Sequence, residues 1–129
     1  RYEVQREGIL QLLQERVPIA HFTHDGDPLK IDYAYRPSKR SGLVKMFQAL
    51  SLDGDLHAAK ALALSAPRIR ESLRKDKSEL ELAAIIENKP PESREAEFGI
   101  QVMQENGIFI KTVGDASAIA SQAREELTE

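Results

Sequence analysis

The chain has 129 residues, of which 41% are hydrophobic and 30% charged, with a net charge of −3 and no cysteine. This composition is typical of a globular domain, and it excludes disulfides, thiolate zinc sites and cysteine nucleophiles. It also excludes a basic field over the whole chain and any apolar run as long as a membrane span. We therefore expect one domain over residues 1–129, with no membrane partner and a cytoplasmic location. The start at Arg1 rather than Met is compatible with excision from a longer chain.

The first half of the chain predicts one helix and three strands. Apolar residues at helical spacing predict a helix over residues 3–17, which ends before Pro18 because a residue that precedes proline avoids the α region. A short strand is predicted over 19–23 and an alternating strand over 29–36. The next run, 43–52, is apolar enough for a central strand. We expect the last two strands to form a hairpin across the polar turn between them.

The second half predicts an alternation of helices and strands. A long helix is predicted over 56–75, with Pro67 expected to kink it or split it in two. A strand over 80–87 follows, then a helix over 92–106 with Ser93 as its cap and Gly107 after its end. A strand over 108–113 and a helix over 115–129 complete the chain. The order α-β-β-β-α-β-α-β-α predicts an α/β fold with a mixed sheet of about five strands flanked by helices.

The second and third predicted strands carry an acidic and an amide side chain. Asp32 lies in the second strand, and Gln48 lies in the run Met-Phe-Gln-Ala-Leu of the third. The α-β-β-β-α-β order over residues 3–87, with an Asp in the second strand, resembles the PD-(D/E)XK restriction-endonuclease-like superfamily. In that family an Asp on one strand and a Glu-x-Lys on the next bind a divalent metal ion and position the attacking water. The resemblance implies Asp32 as metal ligand, Gln48 in place of the Glu, and a cation from Lys60, or from Lys45.

This chain departs from the family motif at Leu50, which stands where the family has its lysine. We therefore expect a non-catalytic domain that works through contacts with nucleic acid or protein and needs no cofactor. The resemblance implies a phage, plasmid or defence setting. Two alternatives remain open: an active nuclease that uses Mg²⁺ with Asp32, Gln48 and a relocated lysine, or a structural module for protein interaction or homodimerisation.

A basic stretch follows the second predicted strand and could contact nucleic acid. Cations there would bind phosphates, and nearby tyrosines would stack on bases. The alternative is a solvated hairpin turn kept soluble by its charges. A second basic cluster, at the end of the long helix, fits the helix dipole without any ligand. The residues of the first cluster are Lys30, Tyr33, Arg36, Lys39, Arg40 and Lys45, and those of the second are Arg68, Arg70, Arg74, Lys75 and Lys77.

The histidines and glycines carry weaker signals. His21 and His24 lie close to two aspartates, but their spacing matches no closed zinc pattern, so we interpret them as parts of a surface turn. His57 lies near a helix start with no partner at triad spacing, and we assign it a structural role. The glycines form no phosphate-binding loop, which argues against nucleotide binding by the usual motifs.

Overall fold

A computed structural model describes residues 14–18, 30–37, 42–53 and 56–128. These residues form five strands and three α-helices, with one 3₁₀ turn at Val113–Asp115. In chain order the elements are β1 (Gln14–Pro18), β2 (Lys30–Tyr35), β3 (Leu43–Ala49), α1 (His57–Lys75), β4 (Glu79–Ile86), α2 (Arg94–Glu105), β5 (Phe109–Thr112) and α3 (Ala116–Thr128).

The strands form one mixed sheet in the order β1-β2-β3-β4-β5. The pairs β1–β2 and β2–β3 are antiparallel, whereas β3–β4 and β4–β5 are parallel. Because α1 and α2 each connect two parallel strands in the same direction across the sheet, right-handed crossovers bring both helices to one face. The last helix, α3, packs on the other face. The carboxyl ends of β3, β4 and β5 therefore meet at one edge, where open α/β sheets bind their ligands.

The pleat of the strands divides the core into two layers. On β3, Met46 faces α1 and α2, whereas the next residue, Phe47, faces α3. Because paired residues share a face, Leu82 on β4 joins Met46 and Ala83 joins Phe47. The layer under α1 and α2 is large and aliphatic, while the layer under α3 is small and includes the stacked rings of Tyr35 and Phe47.

The structure confirms the mixed α/β fold and the four strands predicted from residue 29 onward. Three of these strands are shorter than predicted, and β4 begins and ends one residue earlier. The predicted strand over 19–23 lies outside the described residues, as does most of the helix over 3–17. The prediction is wrong for the last part of that helix, because Gln14–Pro18 forms a strand that pairs with β2. Pairing with a neighbouring strand overrides local helical spacing here, and the end of a sheet tolerates a proline, which has no N–H to donate.

Pro67 does not split the long helix, contrary to one of the two expectations for it. The helix α1 runs for 19 residues with Pro67 inside it. The Pro67 ring is exposed, while Ala63, Ala66 and Ile69 around it are buried against the sheet. Packing on both sides of the proline keeps the helix continuous despite the backbone hydrogen bond that is lost there.

Candidate ligand site beside Asp32

The strand β2 contains an irregularity at Asp32 and Tyr33. Ile31 and Ala34 both pack into the layer under α1 and α2, although strict alternation puts residues three apart on opposite faces. Asp32 and Tyr33, which lie between them, both line one pocket on the α3 face. The alternation of side chains between the two faces is thus interrupted at Asp32, although β2 keeps one register with β1 on both sides of it.

Asp32 and Gln48 meet where the regular pairing of β2 and β3 ends. The paired residues run from Tyr35 opposite Lys45 to Tyr33 opposite Phe47. Beyond that point, the Asp32 backbone N–H donates to Gln48 Oε1 at 3.1 Å, and the Ala49 backbone N–H donates to Asp32 Oδ2 at 2.9 Å. The two side chains thus replace the backbone hydrogen bonds of the ladder. The structure brings these two predicted site residues together and gives both of them a role in holding the strands.

A pocket of about 330 Å³ opens beside Asp32 on the α3 face of the sheet. Its walls come from Tyr33 and Phe47 and from residues at the carboxyl ends of the parallel strands, with Ala116 at the start of α3. The residues at those strand ends are Ala49, Ile85 and Val113. Among the described residues that line the pocket, Asp32 supplies the one carboxylate, and the other side chains are apolar except for the Tyr33 hydroxyl.

The described residues around Asp32 do not provide the ligands that a Mg²⁺ ion needs. Hard divalent cations are held by several oxygen ligands, and the β3 positions that line this pocket are Phe47 and Ala49, which offer no side-chain oxygen. The Gln48 amide is occupied in the strand pairing, with Oε1 accepting from Asp32 and Nε2 donating to the Ala49 carbonyl at 3.3 Å. Within the described parts of the chain, no group of three or more His, Asp or Glu residues could hold a metal.

Lys60, the third predicted catalytic residue, belongs to the opposite face of the sheet. It lies on the exposed side of α1, with its Nζ 5.9 Å from the centroid of the Phe98 ring on α2. This cation–π contact links the two helices. The structure therefore does not bring Lys60 to the pocket that Asp32 lines.

The chain was compared with protein-family models, with curated proteins and with solved structures. None of them matches. The contacts and charges of its own residues therefore carry the functional assignment, and no helix in the described residues is long and apolar enough to cross a membrane.

Lys45 lies in a buried ion pair under α3 rather than on a basic surface. Its Nζ is 3.0 Å from Glu126 Oε1, and Glu81 Oε2 lies 3.7 Å away. The Tyr35 hydroxyl also donates to Glu126 Oε1, at 2.8 Å. Burial, together with that hydrogen bond to a carboxylate, raises the pKa of Tyr35 well above its usual range. Lys45 therefore holds α3 to the sheet and is not available as a surface contact for phosphate.

The remaining predicted nucleic-acid contacts are only partly described. Arg36 is exposed, and its Nη1 donates to the Ser78 hydroxyl at 3.2 Å. Tyr33 lines the pocket beside Asp32. The side chains of Lys30, Lys39 and Arg40 lie outside the described residues, as do His21 and His24.

In the second basic cluster, two arginines make local contacts at the helix end. Arg70 donates to the Asn106 carbonyl at 3.1 Å, and Arg74 pairs with Glu71 at 2.9 Å. These contacts fit the structural interpretation of that cluster. His57 is exposed at the first residue of α1.

Sequence reasoning missed the apolar walls of the pocket. In the sequence, Ile85 and Val113 have the pattern of ordinary strand residues, and Ala49 and Ala116 give no sign of a functional role. The one available signal was the pair of small residues at element ends, since alanine leaves space where a larger side chain would fill the sheet edge. Val113 stays 57% exposed, which is high for a large aliphatic residue beside a cavity.

Proposed function

We propose that this chain is a non-catalytic binding domain of restriction-endonuclease-like architecture, which acts through contacts with nucleic acid or protein. The resemblance is supported by the order of the described elements: three antiparallel strands, a helix, and a strand parallel to the third. An acidic residue, Asp32, stands in the second of those strands, as the resemblance requires. A domain can keep this architecture and lose the chemistry, because activity depends on the site residues rather than on the fold.

The observation that carries the non-catalytic assignment is the composition of the pocket beside Asp32. A metal-dependent nuclease needs at least a second oxygen ligand and a cation near the attacking water. The pocket instead has Phe47 and Ala49 on β3 beside the single carboxylate. The two lysines that the resemblance suggests for the missing cation, Lys45 and Lys60, contact Glu126 and the Phe98 ring instead.

A cleavage assay tests this assignment. Duplex DNA, single-stranded DNA and RNA are incubated with the protein and Mg²⁺ or Mn²⁺, in parallel with Asp32→Asn and with Asp76→Asn, an exposed carboxylate at the end of α1. We expect no cleavage with any of the three proteins. Metal-dependent cleavage that is lost in Asp32→Asn and retained in Asp76→Asn would overturn the proposal in favour of an active nuclease.

A binding assay separates nucleic acid from protein as the partner. If nucleic acid binds through the basic stretch, its affinity falls steeply with salt, and alanine at Arg36, Lys39 and Arg40 lowers the slope of log affinity against log salt by about one for each phosphate contact removed. Absence of binding even at low salt points instead to contacts with protein. A concentration-dependent mass by light scattering would then identify self-association.

A further inference from the structure

The structure joins two basic segments of the chain at the edge of the sheet where the parallel strands begin. Arg36, which follows β2, donates from Nη1 to the hydroxyl of Ser78 at 3.2 Å, across 42 residues of sequence. The Glu79 backbone N–H donates to the Gly42 carbonyl at 2.8 Å, which holds the approach to β3 against the start of β4. Arg36 is thereby placed next to the basic residues at the end of α1. Together they form a basic edge, whose described members are all exposed: Arg36, Arg74, Lys75 and Lys77.

The acidic side chains near the basic edge leave it with an excess of positive charge. Glu71 pairs with Arg74, but both side chains are more than half exposed, and such pairs are weak. Leu80 packs into the layer under α1 and α2, so strand alternation places Glu79 on the α3 face, away from the end of α1. Four cations thus stand against two carboxylates, Glu71 and Asp76, among the described residues of this edge, although the chain as a whole has a net charge of −3.

Lys77 occupies a backbone position that favours glycine. Its φ is +59°, and it is the one described residue other than glycine with a positive φ. The two long helices before it and after it end in the same way: the N–H of the left-handed residue donates to the carbonyl three residues back, and the next N–H donates to the carbonyl five residues back. In α2 the left-handed residue is Gly107, at φ +76°, whereas in α1 it is Lys77.

The fold alone does not account for a lysine at this position. A side chain makes the left-handed conformation less favourable, so glycine there would stabilise the end of α1. The helix dipole favours cations at a helix C-terminus, but Arg74 and Lys75 in the last turn already supply them. Unfavourable backbone conformations are concentrated at functional sites, and Lys77 lies within the basic edge.

The chemistry of the basic edge fits phosphate groups better than a protein surface. Protein interfaces have an apolar centre, whereas the exposed large hydrophobic side chains of the described residues lie elsewhere, at Leu64, Phe98, Phe109 and Val113. The basic edge also has no described aromatic ring on which the bases of a single strand would stack. Exposed cations are sufficient for contacts with the backbone of a duplex, which carries a high density of negative charge.

We propose that the basic edge binds the phosphate backbone of duplex nucleic acid without reading its sequence, and that Lys77 makes one of the phosphate contacts from a position that lowers the stability of the fold. The inference rests on the proposed function and names nucleic acid as the partner. The contact lies at the edge opposite to the pocket beside Asp32, so that pocket takes no part in it. Lys39 and Arg40, which follow Arg36 in the sequence, add charge of the same sign.

The proposal is tested by fluorescence anisotropy with a labelled duplex of about 20 base pairs, titrated from about 50 mM salt upward. Lys75→Gln and Lys77→Gly are compared with Lys89→Gln, which removes an exposed cation after β4, at the other edge of the sheet. We expect each of the first two variants to bind about three- to tenfold more weakly near 50 mM salt, with a log–log salt slope less steep by about 0.9. Unchanged affinity in both variants, or an equal loss in Lys89→Gln, would overturn the proposal.

The melting temperature separates a contact with phosphate from a structural role for Lys77. Lys77→Gly relieves the left-handed conformation, so it should melt about 2–5 °C higher while it binds more weakly. A purely structural lysine predicts the reverse, a lower melting temperature with unchanged affinity, and that result would contradict the role given to Lys77. Lys75→Gln imposes no change in φ and keeps the binding test valid whatever Lys77→Gly does to the fold.

Competing ligands identify the class of partner. Polyglutamate or a single strand of equal charge should compete less well than the duplex, and equal competition by either would overturn the assignment to duplex nucleic acid. Absence of duplex binding near 50 mM salt, in a protein that cleaves nothing, overturns this inference alone and leaves the non-catalytic assignment with a protein partner. Cleavage that depends on Asp32 overturns the proposed function instead, and it is measured independently of the binding at the basic edge.

Discussion

Removal of the Glu126 carboxylate should destabilise the protein far more than removal of a surface carboxylate. Glu126 is the acceptor for Lys45 Nζ at 3.0 and 3.1 Å and for the Tyr35 hydroxyl at 2.8 Å. In Glu126→Ala, the buried ammonium keeps only Glu81, at 3.7 Å, and the tyrosine hydroxyl loses its acceptor. The substitution therefore leaves two donors in a layer that excludes most solvent.

The size of the effect follows from burial on each side of the pair. Truncating one partner of a fully buried ion pair costs about 3–5 kcal/mol. The Lys45 side chain is 8% exposed but that of Glu126 is 22% exposed. Because water reaches the carboxylate and Glu81 remains for the ammonium, we expect Glu126→Ala to lower the free energy of unfolding by about 2–3 kcal/mol. Lys45→Met removes the buried cation itself and should cost less, about 1–2 kcal/mol.

Urea unfolding followed by circular dichroism at neutral pH measures these values. The double variant should lose at least about 1 kcal/mol less than the sum of the two single losses, because the second substitution removes a group already without its partner. Glu71→Ala is the control, since its ion pair with Arg74 joins side chains 57% and 69% exposed and is worth about 0.5 kcal/mol or less. The internal ion pair would be refuted if Glu126→Ala lowered the free energy of unfolding no more than Glu71→Ala does. It would also be refuted if the loss in the double variant equalled the sum of the two single losses.

Three further substitutions test local features of the fold. Pro67→Ala restores a backbone hydrogen bond in α1 at an exposed position, so the free energy of unfolding measured in urea should rise by about 2–3 kcal/mol. A fall in the free energy of unfolding would contradict this expectation and show that the proline stabilises the helix. Gly107→Ala forces alanine to φ +76° and towards Arg70, so the melting temperature should fall with a loss of about 1–2 kcal/mol. An unchanged melting temperature would contradict the left-handed cap of α2. Glu87 accepts from the Leu52 N–H and the Ser51 hydroxyl; although burial opposes ionisation, those bonds lower its pKa. The stabilisation is thus present above the ordinary pKa of 4.5 and lost as pH falls through the lower folded value. Glu87→Gln should therefore be less stable than the unaltered chain near neutral pH and equal to it in acid, and a difference that does not vary with pH would contradict this reasoning.

Elements with long, regular patterns could be predicted from the sequence. The apolar run of β4 and the helical spacing of α1 are each read correctly, because the whole segment is buried on the side that its pattern indicates. The ends of α2 follow from local chemistry. The Ser93 hydroxyl accepts the Ala96 N–H at 3.1 Å, and Gly107 takes the positive φ that ends the helix.

Residues whose environment is set by distant partners could not be predicted. Lys45 reads as a surface cation beside a basic turn, yet its partner Glu126 lies 81 residues further along the chain. The strand β1 reads as the end of a helix, because its five residues are defined by pairing with β2 rather than by their own spacing. In both cases the contact that decides the structure joins residues far apart in the sequence, and the local spacing of apolar residues does not indicate it.

The irregularity at Asp32 is what separates the predicted site from the observed one. The prediction combined Asp32 with Gln48, and a regular ladder would have set both on one face of adjacent strands. The interrupted alternation of β2 places Asp32 in the pocket on the α3 face, where the β3 residues that line the pocket are Phe47 and Ala49. The two β3 residues beside the carboxylate therefore offer it no side-chain oxygen as a second metal ligand.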